Sequence, residues 1–284
     1  MAGAFLSNTR NMFRVALVLA GAAAALSPAS AHGPHGERLA RLDRQLAEDP
    51  ANVEHHLTRS ILYLDHGDFP MALADLERAA QLDPTRIEID FLRGSLYLAW
   101  KRPGDALPPL ERFLSRAPEH GEAQVLIARA LAQLGRPLEA AQHLDLAIER
   151  AAVPIPTHYL ERAQALAAAG AVHIDEALRG LDAGMARLGP IPALASFAVE
   201  LELARGQVDL ALERLARSSA SPSSPAALVR RAEILERAER RGEARIAYAQ
   251  ALAQLESLPA GRRGAPAVAA LEPRAREALA RLAP

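Results

Sequence analysis

Alanine returns along this chain at a nearly fixed interval. It stands at Ala72, Ala106, Ala140, Ala177, Ala211 and Ala244, with steps of 34, 34, 37, 34 and 33 residues. Four residues after each comes Leu76, Leu110, Leu144, Leu181, Leu215 or Tyr248, and seven after comes Ala79, Phe113, Ala147, Gly184, Ser218 or Ala251. Twelve residues before the alanine stand Ser60, Gly94, Ala128, a spaced Ala163, Val199 and Ala232. Offsets of 0, 4 and 7 share one helical face, so the pattern predicts amphipathic helices rather than strands. Small residues on that face let two helix axes approach closely, while the leucine fills the space beside them. Gly67, Gly104, Gly135 and Gly242 precede the alanines as turn signals, and Pro84 and Pro118 stop the helices that follow. Each unit therefore reads as a helix-turn-helix that buries its apolar stripe only against its neighbours.

This spacing resembles the tetratricopeptide repeat (TPR), a unit of 34 residues with small residues at unit positions 8, 20 and 27 and a proline near 32. The resemblance implies an all-α, right-handed superhelical solenoid of about six TPR-like repeats with helical caps. Units fall near 53–86, 87–120, 121–154, 156–191, 192–224 and 225–258. The first three match best. The fourth carries an insertion around Ala171–Asp175, the fifth has Glu202 where a large apolar residue is expected, and the sixth has Arg240-Arg241-Gly242 later than its turn should come. By the same resemblance the first helix of each unit lines a concave groove. Its expected lining is Glu54, Leu57, Ile61 and Leu64, then Glu88, Phe91, Ser95 and Leu98, then Glu122, Val125, Arg129 and Ala132. Such an apolar stripe with an acidic rim suits a protein or peptide segment with apolar anchors and some positive charge. The Lys/Asn clamp with which TPR chaperone-tail binders hold a terminal carboxylate is missing from the matching positions.

The ends read differently. Residues 1–31 have the form of a secretory signal: Arg10 and Arg14, an apolar run of 12 residues from Val15 to Leu26, and the small-x-small site Ala29-Ser30-Ala31. Export, to a bacterial periplasm, is the expectation, with no stable membrane insertion once the signal is removed. Residues 32–52 form a polar leader and a capping helix marked by Leu39, Leu42 and Leu46. Ser218–Pro225 is a Ser/Pro-rich joint, and 259–284 reads as a linker followed by a capping helix in which Pro273 suits the first turn.

Composition narrows the function. Half of the 284 residues are apolar but only 4% are aromatic, which favours helices. Beyond residue 31 there are 31 basic and 34 acidic residues, so no strong field invites nucleic acid. Lys101 is the only lysine, and the Ala/Arg bias fits a GC-rich bacterial coding sequence. No cysteine is present, which excludes disulfides, thiol catalysis and Cys-ligated zinc. His32, His35, His55, His56 and His66 crowd five of nine histidines into the start of the exported chain. Cleavage after Ala31 would expose the amine and imidazole of His32 with His35 nearby, a set suited to copper or zinc. His55 and His56 are neighbours on a helix and point apart. No nucleophile elbow, phosphate loop or His-Glu-x-x-His pair occurs. The sequence therefore points to a non-catalytic scaffold without an obligate cofactor, and alternatively to a metal-binding accessory protein.

Overall fold

The structure, a computed structural model, describes residues 34–153, 155–218 and 221–283. The described residues are helical, with no strand among them. The signal-like segment and His32 lie outside them. Two compact units divide at Arg150/Ala151. The first holds α1 (Pro34–Glu48), α2 (Val53–His66), α3 (Phe69–Leu82), α4 (Glu88–Ala99), α5 (Pro103–Arg116), α6 (Gly121–Gln133) and α7 (Pro137–Arg150). The second holds α8 (Pro156–Ala169), α9 (Ile174–Leu188), α10 (Pro192–Ala204), α11 (Val208–Ser218), α12 (Pro225–Arg237), α13 (Arg241–Ser257), the single turns α14 (Ala260–Arg263) and α15 (Pro266–Ala269), and α16 (Leu271–Arg281). The two short turns occupy most of the stretch expected to be a plain linker. A 3-10 turn, Ala171–His173, takes up the insertion of the fourth repeat.

Consecutive helices pack as hairpins, α2 with α3, α4 with α5, α6 with α7, α8 with α9, α10 with α11 and α12 with α13. The recurring alanines sit at the contacts: Ala72, Ala106, Ala140, Ala177, Ala211 and Ala244 are each 0% exposed. Gly94 shows how close the approach is. A Cβ built there would lie 2.3 Å from Leu110 Cγ, so a methyl group does not fit. At Gly184 a Cβ would meet the Tyr159 ring at 2.8 Å. In the second unit α16 closes the end, placing Leu271, Ala275, Ala278 and Leu282 in one core with Ile234, Leu235 and Leu255.

Helix starts follow local chemistry. The Asn52 side chain accepts the His55 N–H at 3.1 Å, and Ser224 accepts that of Ala227 at 3.3 Å. Pro103, Pro156, Pro192 and Pro225 occupy first-turn positions, where a missing N–H costs nothing. Five of the six turns inside the hairpins share one hydrogen-bond pattern, the fourth repeat with its insertion differing. In the first repeat Gly67 N–H donates to Leu64 O and Asp68 N–H to Tyr63 O (3.0 and 2.9 Å), and Gly135/Arg136 and Gly206/Gln207 repeat it. The first residue of each of these pairs has positive φ (78°, 73° and 73°), the left-handed cap that favours glycine. Gly104 and Gly242 do not serve as turns, contrary to expectation. They lie in the first turns of α5 and α13, while Lys101 and Glu239, each at φ 60°, hold the left-handed position and make the same bonds.

Within each unit arginines reach back about one repeat length, most of them to the preceding repeat. In the first unit Arg86 binds Glu54, Arg116 donates to Thr85 O (3.1 Å), and Arg150 donates to Pro118 O (2.6 Å) and pairs with Glu119 (3.0 Å). In the second unit Arg205 reaches Asp175, Arg214 reaches Asp182, and Arg240 reaches Asp209 (2.5 Å). The span back is 30–32 residues, close to one repeat. A planar fork that serves two partners at once suits this task, which a lysine ammonium does less well. Each exposed pair is worth only about 0–1 kcal/mol, so the ladder trims a structure that the core holds. Glu202 belongs to it: the carboxylate is buried, and one oxygen accepts from Arg214 Nε at 2.8 Å. The large-residue position of the fifth repeat is thus filled by an ion pair.

The turn geometry makes a swap test. Lys101→Gly and Glu239→Gly should each stabilise by about 0.5–1 kcal/mol, since an L-residue in the left-handed region is strained. Gly104→Ala and Gly242→Ala should gain a similar amount, because nothing lies within 4 Å of a Cβ at either site and alanine is the better helix residue by about 0.8–1 kcal/mol. Urea midpoints moving the other way at either pair would contradict the turn assignment.

Candidate binding groove

The first helices of the first unit, α2, α4 and α6, carry the expected lining, and the structure separates its apolar part from its polar part. Leu57 (0% exposed), Phe91 (3%) and Val125 (2%) are core. Leu64, Ser95 and Leu98 are buried with them. These residues are not available to a ligand, which corrects the expected apolar stripe. The reason is local packing. Phe91 lies against Phe113 and His120 (ring centroids 5.2 Å in both cases), and these two meet at 5.0 Å, so an aromatic cluster from three elements absorbs the position. Ser95 Oγ turns back to donate to Phe91 O at 3.1 Å.

What remains on the surface is mostly polar. Glu54 and Arg129 are exposed, Glu88, Glu122 and Ile61 are half-buried, and Ala132 is exposed. Glu54, Glu88 and Glu122 each occupy the first turn of their helix, one repeat apart, where the helix dipole favours a carboxylate. Arg86 spans the first two: it pairs with Glu54 and holds Glu88 at 3.1 Å. Burial pushes the Glu122 carboxyl above its ordinary range, and Arg129 partly offsets this. The result is a row of carboxylates in one register, with Arg86 as an internal cation that a ligand's cation could replace.

Beside the row, the buried polar positions are occupied by structural pairs. His56 Nδ1 lies 2.9 Å from Asp75 Oδ1 and its Nε2 3.1 Å from Pro50 O, while Arg59 donates to both Asp75 oxygens (2.8 and 2.7 Å) and to Asp43 (2.7 Å). The same two repeat positions carry Gln124 and His143 in the third repeat, bonded at 2.6 Å. His120 caps α6, its Nδ1 accepting the Ala123 N–H at 3.2 Å.

His35 packs edge-on against His66 with centroids 4.2 Å apart, and His35 Nδ1 and His66 Nε2 are buried without a hydrogen-bond partner. His32, the other member of the pair expected to begin a metal site, lies outside the described residues. Among the described residues no three His, Asp or Glu groups gather in a metal-binding arrangement.

In the second unit the corresponding face pairs its own charges around a recess of about 430 Å³. Arg230 and Arg237 pair with Glu200, Arg274 with Glu233 and Arg281 with Glu236, and Tyr248 Oη donates to Glu236 at 3.0 Å. The sequence pattern gave no warning of exposed apolar groups at the turns. Leu134 and Leu138 flank the third-repeat turn at 41% and 44% exposure, and Val172 in the fourth-repeat insertion is 82% exposed. Trp100 stacks on Phe69 at 5.8 Å and is covered by Arg102 at 4.9 Å, so the only tryptophan is a staple between two repeats.

His120 supplies a pH prediction. Burial lowers its pKa below the ordinary histidine value, as it does for His143. The folded state therefore binds fewer protons than the unfolded chain below about pH 6.5, and stability present above that pH is lost on acidification. The half-buried Glu122 acts in the opposite sense, but only as the pH nears the carboxylate range. His120→Asn keeps a capping side chain that does not titrate. Thermal midpoints from pH 7.5 to 5.5 should fall for the parent and fall less for this variant. Identical slopes would contradict a buried, titrating cap.

No protein-family profile matches the chain, and no curated protein matches it by sequence. Solved structures do match by shape. The C-terminal part of a TPR repeat-containing protein from Cytophaga hutchinsonii aligns over 86% of this chain and 94% of its own, with a TM-score of 0.66 at 12% identity. A tetratricopeptide repeat protein from Parabacteroides merdae aligns over 87% and 92%, with a TM-score of 0.55 at 18% identity. YrrB, described as a TPR protein with an unusual peptide-binding site, aligns over 62% and 90%, with a TM-score of 0.52 at 20% identity.

Proposed function

We propose that this chain, which has the tetratricopeptide-repeat fold, is an exported scaffold that holds a basic segment of another protein along the glutamate row of its first unit and performs no chemistry. The observation that carries this reading is the shared register of Glu54, Glu88 and Glu122 in the first turns of three successive first helices. A lysine or arginine on the partner would replace Arg86 as the cation between Glu54 and Glu88. The next carboxylate lies one repeat on. YrrB supports a peptide ligand by analogy, since its description names a peptide-binding site on the same fold. The signal-like residues 1–31 support export, most simply to a bacterial periplasm. No described helix is long and apolar enough to cross a membrane.

The test is affinity capture from a periplasmic extract at low and moderate salt. The parent chain should retain a polypeptide that elutes as salt rises. The triple variant Glu54→Gln, Glu88→Gln, Glu122→Gln should retain it at least about tenfold less, because charge-assisted contacts are the strong ones at such a surface. Undiminished retention by the triple variant would remove the groove reading. A protein recovered with residues 1–31 intact would remove the export reading separately.

A further inference from the structure

The capping helix α1 packs against α2, and the start of one meets the end of the other. His35 is the second residue of α1, and His66 is the last of α2. Their rings meet edge to face, with centroids 4.2 Å apart and planes at 82°. One nitrogen on each ring, Nδ1 of His35 and Nε2 of His66, is shut off from solvent and makes no hydrogen bond. Buried polar atoms are nearly always partnered, so two orphans on touching rings call for an explanation.

Most other histidines of the first unit have their partners. His56 faces acceptors at both nitrogens, His120 caps α6, and His143 is bonded to Gln124. His55 Nδ1 is also buried and unbonded, but no second imidazole packs against it among the described residues. Only the His35–His66 contact brings two such nitrogens together.

A neutral imidazole carries one lone pair, and a buried lone pair that meets no donor is free to bind a metal ion. Two imidazoles on one tetrahedral ion, each at about 2.0–2.1 Å, place their nitrogens roughly 3.3 Å apart. Rings already in contact need only turn about their side-chain bonds to reach that spacing. A carboxylate stands close by. Desolvation pushes the Asp65 carboxyl up, while His35, His66 and Arg38 pull it down, so its charge is felt at both rings. No third His, Asp or Glu completes the set among the described residues, which leaves the other coordination positions to water. We propose that His35 and His66 form a two-imidazole site for a divalent late transition metal of the zinc and copper class, the ions that imidazole suits. Bound there, the ion staples the capping helix to the first repeat. The site differs from the amino-terminal chelate of His32 and His35 expected from the sequence, since it needs His66 and no free amine. It is independent of the glutamate row.

The probe is Zn(II) itself, titrated calorimetrically into the chain with residues 1–31 retained, in which His32 has no free amine. One equivalent should bind. His35→Asn and His66→Asn should each weaken binding at least about tenfold, because each removes half of the protein's ligands. His55→Asn removes an orphan nitrogen that has no partner ring, and it should leave the affinity as in the parent. Amide hydrogen exchange in α1 should slow when Zn(II) is added to the parent and not when it is added to His66→Asn. His35 and His66 are half-buried at helix ends, so the fold should survive, which far-UV circular dichroism checks. A His66→Asn chain that binds as the parent does would overturn the proposal, whatever His35→Asn does. So would an equal loss in His55→Asn, or a parent that takes up no equivalent of Zn(II). The triple variant Glu54→Gln, Glu88→Gln, Glu122→Gln should bind as the parent does; a loss there would place the ion on the glutamate row and overturn the proposal as well.

Discussion

Two helices can pack with their backbones nearly touching only where one of them presents a residue with little or no side chain. In this chain that requirement recurs once per repeat and is met by an alanine with no exposed surface each time. The leucine or tyrosine four residues on occupies the space beside the contact, fully so at Leu110 and Leu181. Where alanine would already be too large, glycine takes over, as at Gly94 against Leu110 and Gly184 against Tyr159. Everything else in the hairpins is arranged around these contacts. Caps fix where helices begin, left-handed turns fix where they reverse, and arginines reach back one repeat to join surfaces that the core has already brought together.

The architecture was legible because close packing constrains residue size, and size is visible in a sequence. Backbone conformation was less so. Gly104 and Gly242 looked like turns because glycine is the usual left-handed cap, yet Lys101 and Glu239, three residues earlier in each case, hold that conformation. The hydrogen-bond pattern of the turn is set by the hairpin as a whole, and it tolerates an L-residue at a modest cost. Glu202 looked like a breach in the fifth repeat, but Arg214 lies on the facing helix to receive it, a pairing that only the folded chain reveals.

The candidate groove was half legible. Helical register placed Glu54, Glu88 and Glu122 in matching first turns, whereas Leu57, Phe91 and Val125 were assigned to the wrong side of the boundary between core and surface. Periodicity identifies a face but not what covers it. The Phe91–Phe113–His120 cluster, drawn from three elements, is what closes that face, and its members lie too far apart in sequence to be joined by pattern alone. The two units also differ in charge: residues 34–150 contain 14 basic and 19 acidic residues, residues 151–284 contain 17 and 15.

The alanine contact itself can be measured. Ala106→Leu adds three carbons at a site with no exposed surface, and Ala74→Leu adds the same three at an exposed site on the neighbouring repeat's second helix. Overpacking should lower stability by about 1–3 kcal/mol in the first case, and the second should stay within about 0.5 kcal/mol of the parent. Urea unfolding followed by circular dichroism reads both. An Ala106→Leu chain as stable as Ala74→Leu would mean that the helix axes do not meet at the recurring alanines, and the account built on that contact would fail.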